Sequence, residues 1–158
     1  MLIEGNIVPQ CVAGAGSLGG LLTLYESNYI KLCALLPGMS SLAGEYRSVS
    51  PRDLPLNLRV ADAERYTMDL SLTYLFEGDG GVVADPDLQL RVYFDARMVE
   101  VVAWSGTVRH RELRRLRRAS AREIDVRWAR NTMLAKWLDY LTDHSHRFEP
   151  CRAAQTVD

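Results

Sequence analysis

From Tyr66 to Phe76 the chain alternates without a fault. Tyr66, Met68, Leu70, Leu72, Tyr74 and Phe76 are apolar, and Thr67, Asp69, Ser71 and Thr73 between them are polar. Period two is the signature of a strand with one buried face. A face that stays polar over such a length belongs to an antiparallel sheet with one wet side. The rest of the chain must supply neighbouring strands and something to cover the apolar side.

The partner strands lie close in sequence. Leu88, Leu90, Val92 and Phe94 alternate with Gln89, Arg91, Tyr93 and Asp95, and a second apolar run, Met98 to Trp104, follows after Asp95-Ala96-Arg97. Two such runs split by a short polar break predict a hairpin. The register follows: Leu70 and Val92 face the core, Asp69 and Arg91 face away. Upstream, Leu56, Leu58 and Val60 predict a short strand, Glu45 to Val49 another, and Asp62 to Arg65 a turn. Gly78-Asp79-Gly80-Gly81 through Pro86 is expected to be a mobile loop.

Helices flank these strands. Ser17 is a plausible N-cap for a helix from Leu18 to about Leu36, with Leu21, Leu22, Tyr25, Tyr29, Leu32 and Leu36 at spacings of three and four. Pro37-Gly38 stops it. Ser120-x-x-Glu123 is a capping box for a second helix running to about His144, whose apolar arc holds Ile124, Trp128, Leu134, Trp137, Leu138 and Leu141. Trp137 and Leu138 are expected to be largely buried. Residues 106–119 are open between strand, loop and helix, and 145–158 are polar and expected to fray. The sum is an α+β fold of two layers, an antiparallel meander of four to five strands covered by an N-terminal and a long C-terminal helix. The expected organisation is an irregular lead 1–17, one domain 18–146 and a flexible tail 147–158.

Composition bounds the class. At 158 residues the chain suits one domain, and 47% hydrophobic residues allow a proper core. The net charge of −1 is unevenly spread. Residues 109–130 hold nine Arg against Glu112, Glu123 and Asp125, so this segment is +6 and the remainder −7. Cys11, Cys33 and Cys151 are odd in number and far apart, as expected of free thiols in a reducing cytosol. The N-terminus lacks the positive region of a signal peptide, and Gly5–Tyr25, though uncharged, contains Pro9, Gln10 and five Gly. A soluble cytoplasmic protein that does not enter membranes is expected.

Motifs for chemistry are sparse. Gly14-Ala-Gly16-Ser-Leu-Gly19 matches G-x-G-x-x-G, but Pro9 and Gln10 do not suit the buried parallel strand that should precede a dinucleotide site. His144-x-His146 with Cys151 offers three metal ligands where structural zinc wants four. No G-x-S-x-G or H-E-x-x-H is present, and no Ser/His/Asp set is specific enough to name. No catalytic residue, metal or cofactor is therefore assigned.

Candidate binding residues remain. Arg127 and Asn131 sit four apart beside the apolar arc of the last helix, either satisfied locally or holding an anion. Glu64, Arg65, Arg91, Tyr93 and Asp95 lie at strand ends and on the polar sides of neighbouring strands, where they either form ordinary cross-strand pairs or converge on a ligand. Arg114, Arg115, Arg117 and Arg118 are candidates for anion binding through their bidentate forks, or for pairing with acids of the same fold. Aromatics that could stack on bases are absent between 109 and 127, so any nucleic-acid contact would be nonspecific.

Four stretches in order carry a resemblance: Leu24-Tyr-Glu-Ser-Asn28-Tyr-x-x-Leu32 leading to Pro37; Glu64-Arg65-Tyr66-Thr67; Leu90-Arg-Val-Tyr93-x-Asp95-Ala96-Arg-Met-x-Glu100-Val; and Asn131-x-x-Leu134-x-x-Trp137-Leu138. Together they resemble the YqiB-like proteins of gammaproteobacteria, a domain of unknown function (1249). The likeness spans roughly residues 18–146. Phe94 stands where that family usually has His, the Tyr-Pro pair before the last helix is missing, and the acidic-acidic-Lys approach to that helix is Asp125-Val126-Arg127. The resemblance implies no particular activity, cofactor or substrate. Three functions compete: a non-catalytic binding or regulatory module, an enzyme acting on a nucleotide-like or phosphorylated small molecule, and a protein–protein interaction domain. The first accords best with a basic segment and the lack of an acid–base set.

Overall fold

A computed structural model describes residues 16–105 and 123–149. Helix α1 spans Leu18–Leu35, and a short 3-10 turn follows at Met39–Ser41. Strands β1 (Glu45–Ser48), β2 (Leu56–Ala63), β3 (Thr67–Gly78), β4 (Gly81–Tyr93) and β5 (Met98–Ser105) come next, and helix α2 spans Glu123–Asp143. The strands form one antiparallel sheet in the order β1-β2-β3-β4-β5. This is the expected meander with two covering helices. No helix among the described residues is long and apolar enough to cross a membrane.

The alternation in β3 is read out directly. Met68, Leu70 and Leu72 are buried on one face, with Leu88, Leu90 and Val92 of β4 beside them. Leu70 lies opposite Leu90 and Met68 opposite Val92, while Asp69 faces Arg91 on the other side. Leu32, Leu35 and Leu36 of α1 and Leu134, Leu138 and Leu141 of α2 cover the apolar face. A second cluster joins Leu21, Leu24 and Tyr25 of α1 to Met98, Ile124 and Trp128. Ser17 caps α1 by accepting from the Gly20 N–H at 3.1 Å.

Three expectations are corrected. The Gly78–Pro86 stretch is strand, because Asp79-Gly80 makes a two-residue turn that pairs Gly78 with Gly81. Pro86 falls within the register shift opposite Thr73 and Leu75, where the ladder does not need its missing N–H. The chain does not fray at 145. Ser145 turns in the left-handed region, and the Phe148 N–H donates to the Leu35 carbonyl at 2.9 Å. Phe148 itself is 2% exposed, so the apolar side chain outweighs the polarity around it. Third, Trp137 is only half-buried and meets Tyr74 edge-on at 5.5 Å, at the rim of the core.

The ambiguous segment 106–119, the capping residue Ser120, and Arg114, Arg115, Arg117 and Arg118 lie outside the described residues. So do Cys11 and Cys151; Cys33 is a free thiol.

Candidate functional site

With both helices on the apolar side, no described element covers the other face of the sheet. Its side chains follow from the register. One row runs Arg47, Asn57, Thr73, Asp87; the next runs Glu45, Arg59, Ser71, Gln89; a third runs Asp62, Asp69, Arg91, Glu100. Short amides and hydroxyls fill the middle of the face. A depression of about 430 Å³ lies there, lined among others by Asn57, Arg59, Ser71, Thr73, Asp87 and Gln89.

The candidate residues on this face are already engaged. Arg91 donates from Nε and Nη2 to the two carboxylate oxygens of Asp69 at 2.7 and 2.8 Å. That bidentate bond holds the Asp69 carboxyl below its ordinary range and fixes the charge on Arg91. The Tyr93 hydroxyl donates to Glu100 at 2.8 Å, and burial followed by this carboxylate raises its pKa. Arg127 bridges Glu123 and Glu100, at 2.8 and 3.1 Å. A continuous band of polar contacts thus runs from Tyr93 through Glu100 to Arg127 and Glu123. Carboxylates meet each guanidinium, so Arg91 and Arg127 are not a bare anion site.

The remaining candidates divide. Glu64 and Arg65 lie in the β2–β3 turn at the end of the sheet shared with Tyr93, where the Glu64 N–H donates to the Thr67 carbonyl and Arg65 stacks 5.0 Å over the Tyr66 ring. Asp95 accepts from the Ala96 N–H at 2.9 Å and shapes the β4–β5 turn. Asn131 does not join them. It is fully buried, accepts from the Val101 N–H at 3.0 Å and donates to the Arg127 carbonyl at 2.8 Å. It seals the free edge of β5 against α2.

A Ser–His–Asp chain is present that spacing alone does not reveal. Ser48 Oγ lies 3.0 Å from His146 Nδ1, and His146 Nε2 lies 3.0 Å from an Asp53 oxygen. Tyr74 and Tyr140 also donate to Asp53. Burial alone would raise the Asp53 pKa, but bonds from Tyr74, the Leu54 backbone and His146 outweigh it and hold the carboxyl low. The residue types are those of a hydrolase relay. Here, however, Ser48 is buried, its Oγ also accepts from the Arg147 N–H at 3.2 Å, and the His146 side chain is 0% exposed. The arrangement is a clasp that ties the C-terminal return to β1 and the following loop. The two histidines pictured as metal ligands part company: His144 stacks on Tyr140 at 3.8 Å, while His146 enters the clasp. No signal in the sequence brings Ser48, Asp53 and His146 together, since the three are set by the chain's return after α2.

Comparison with curated proteins and with solved structures finds no match to this chain. A family model described as a protein of unknown function, DUF1249, matches residues 31–147. That span holds the whole sheet, α2 and the clasp, and the chain belongs to the DUF1249 family.

Proposed function

We propose that this domain is a non-catalytic binding module whose contact surface is the open face of the sheet. One observation carries this: among the described residues the helices cover only the apolar side, and the other side is an array of hydrogen-bonding side chains around a shallow depression. Asn57, Ser71, Thr73 and Gln89 offer donors and acceptors on neighbouring strands, in a geometry the ladder fixes. The titratable groups alongside are tied to one another. A general base works best with a pKa near the operating pH, and Asp69 is held well below that by Arg91. The surface therefore suits recognition of a polar partner better than proton transfer.

The arginines of 109–130 form the anionic-partner side of this proposal, supported by their density in the sequence. Placement among the YqiB-like gammaproteobacterial proteins rests on the four ordered stretches, and a cytoplasmic location on the free Cys33 thiol.

Protein purified from its own host and weighed by native mass spectrometry tests the reading. A bound mass should accompany the wild type and leave the Ser71→Arg and Thr73→Arg variants, which fill the depression from half-buried positions in its lining. A mass retained by both variants, or one converted to a new product on incubation, overturns it. Labelled RNA titrated at rising salt tests the arginine segment, since a phosphate contact weakens steeply with salt.

A further inference from the structure

A second concavity lies away from the open sheet face. One face of α1 presents Glu26, Tyr29, Ile30 and Cys33 at helical spacings of three and four, and the β4–β5 turn overhangs them with Ala96 and Arg97. The cleft between them is about 570 Å³, within the range of small-molecule sites. It brings together two stretches, 24–32 and 90–101, that the open face does not use in common.

Its charges are unspent. Among the described residues neither Glu26 nor Arg97 takes part in an ion pair, and they do not pair with each other although both line the cleft. The groups on which the Arg97 charge acts are the neutral Tyr29 hydroxyl and Cys33 thiol. Ile30 is 70% exposed on the same wall, an apolar side chain that no described residue covers. Arg97 is also held at φ 52°, in the left-handed region where a residue with a Cβ is strained and glycine is not. Strain of this kind persists where the surroundings fix it, and it collects at ligand sites. Here the Asp95 side chain fixes the turn that brings Arg97 to the wall of the cleft.

We propose that the cleft binds a small zwitterion of the α-amino-acid class, with its carboxylate on Arg97, its ammonium on Glu26 and an apolar side chain against Ile30 and the Tyr29 ring. Opposite charges on opposite walls, neither in an ion pair among the described residues, suit a ligand carrying both signs. A simple anion would leave Glu26 facing it, and like-sign approach costs affinity. The exposed apolar wall selects a branched or aromatic side chain over glycine. Cys33 is a wall of the site and does no covalent chemistry, because burial raises its thiol above the ordinary range.

The test is a titration of the full-length, isotope-labelled protein with L-leucine, followed by amide resonances. L-leucinamide lacks the carboxylate and 4-methylpentanoate lacks the ammonium. Leucine should shift the amides of Ile30, Cys33, Ala96 and Arg97 and saturate, and each half-analogue should bind about tenfold more weakly or worse. Arg97→Gln should bring leucine down to the level of leucinamide. Glu26→Gln should bring it down to 4-methylpentanoate. Both side chains are exposed, so spectra of the free variants should keep the wild-type dispersion. Absence of localised shifts at about 50 mM leucine, well above the millimolar range a few contacts give, overturns the proposal. So does equal binding of leucine and 4-methylpentanoate, unchanged binding by Arg97→Gln, or shifts confined to the sheet face.

Discussion

Asn131 completes the sheet from outside it: its side-chain oxygen accepts the Val101 N–H at 3.0 Å, on the outer edge of β5, the last strand of the described sheet. Its backbone carbonyl in turn accepts from Asn28 at 2.9 Å, so one residue links β5, α2 and α1. Asn131→Leu should keep the branched outline of the side chain but strand the Val101 N–H in an apolar setting. An orphaned buried donor costs its full desolvation, so a loss of about 2–4 kcal/mol is expected in urea denaturation. A loss under about 1 kcal/mol would show that the amide does not seal the edge.

Phe148 lies inside the stretch, 145–158, whose polar composition suggests an end to structure, yet it is among the most buried side chains. Phe148→Ala should cost about 3–5 kcal/mol, by lost transfer energy and the cavity left beneath Leu35. The Phe148 amide should then exchange with solvent far faster than in the wild type, because its bond to the Leu35 carbonyl depends on the side chain staying home. Unchanged stability would mean that residues 146–149 lie on the core without holding it.

The clasp sets an acid limit. Asp53 and Asp69 both have carboxyls held below the ordinary carboxylate range in the folded protein. A lowered folded pKa contributes stability above the unfolded value, near pH 4, and that contribution is lost as pH falls through the folded pKa. Stability measured by denaturant titration should therefore be insensitive to these two groups near neutrality and decline below about pH 4. Asp53→Asn should lower stability at pH 7 and flatten the decline. An equally steep acid decline in Asp53→Asn would place the sensitivity elsewhere.

The sheet was legible because period two is unambiguous and because a one-residue slip would turn the apolar side chains of β3 and β4 to solvent and their polar ones to the core. Leu70 and Val92 are buried, and Asp69 faces Arg91, as that argument requires. The helices were legible from Ser17, Pro37-Gly38 and their apolar stripes. Positions at the rim were not. Trp137 lies on the apolar arc of α2, but an arc wider than the contact leaves its edges half covered, and only Leu134, Leu138 and Leu141 reach the centre. Of the candidate site, periodicity correctly put Arg91 and Tyr93 on the polar side. It could not show that Asp69 and Glu100 occupy them, since partners depend on register across strands. Asn131 read as an unusual polar group near the core, and the geometry shows that it serves the backbone. The clasp and the α1–turn cleft were invisible, because their residues meet only after the chain has folded back.

Arg91 is the one cation in a row of four cross-strand neighbours, Asp62, Asp69, Arg91 and Glu100. Asp62 and Asp69 stand directly opposite each other, an arrangement that costs stability unless a cation offsets it. Replacing either member of the Arg91–Asp69 pair should therefore have unequal effects. Asp69→Asn removes the pair but also relieves its repulsion with Asp62. Arg91→Gln removes the pair and leaves that repulsion in place. The side chains are 42% and 35% exposed, so solvent screens the interaction and the coupling should be only about 0.2–1 kcal/mol. The expected order is a small loss for Asp69→Asn and a larger one for Arg91→Gln, read from urea denaturation at low ionic strength. At about 1 M salt, where screening acts within roughly 3 Å, the difference should close. Equal losses at both salt concentrations would show that Arg91 acts by packing its stem on the sheet and not by its charge.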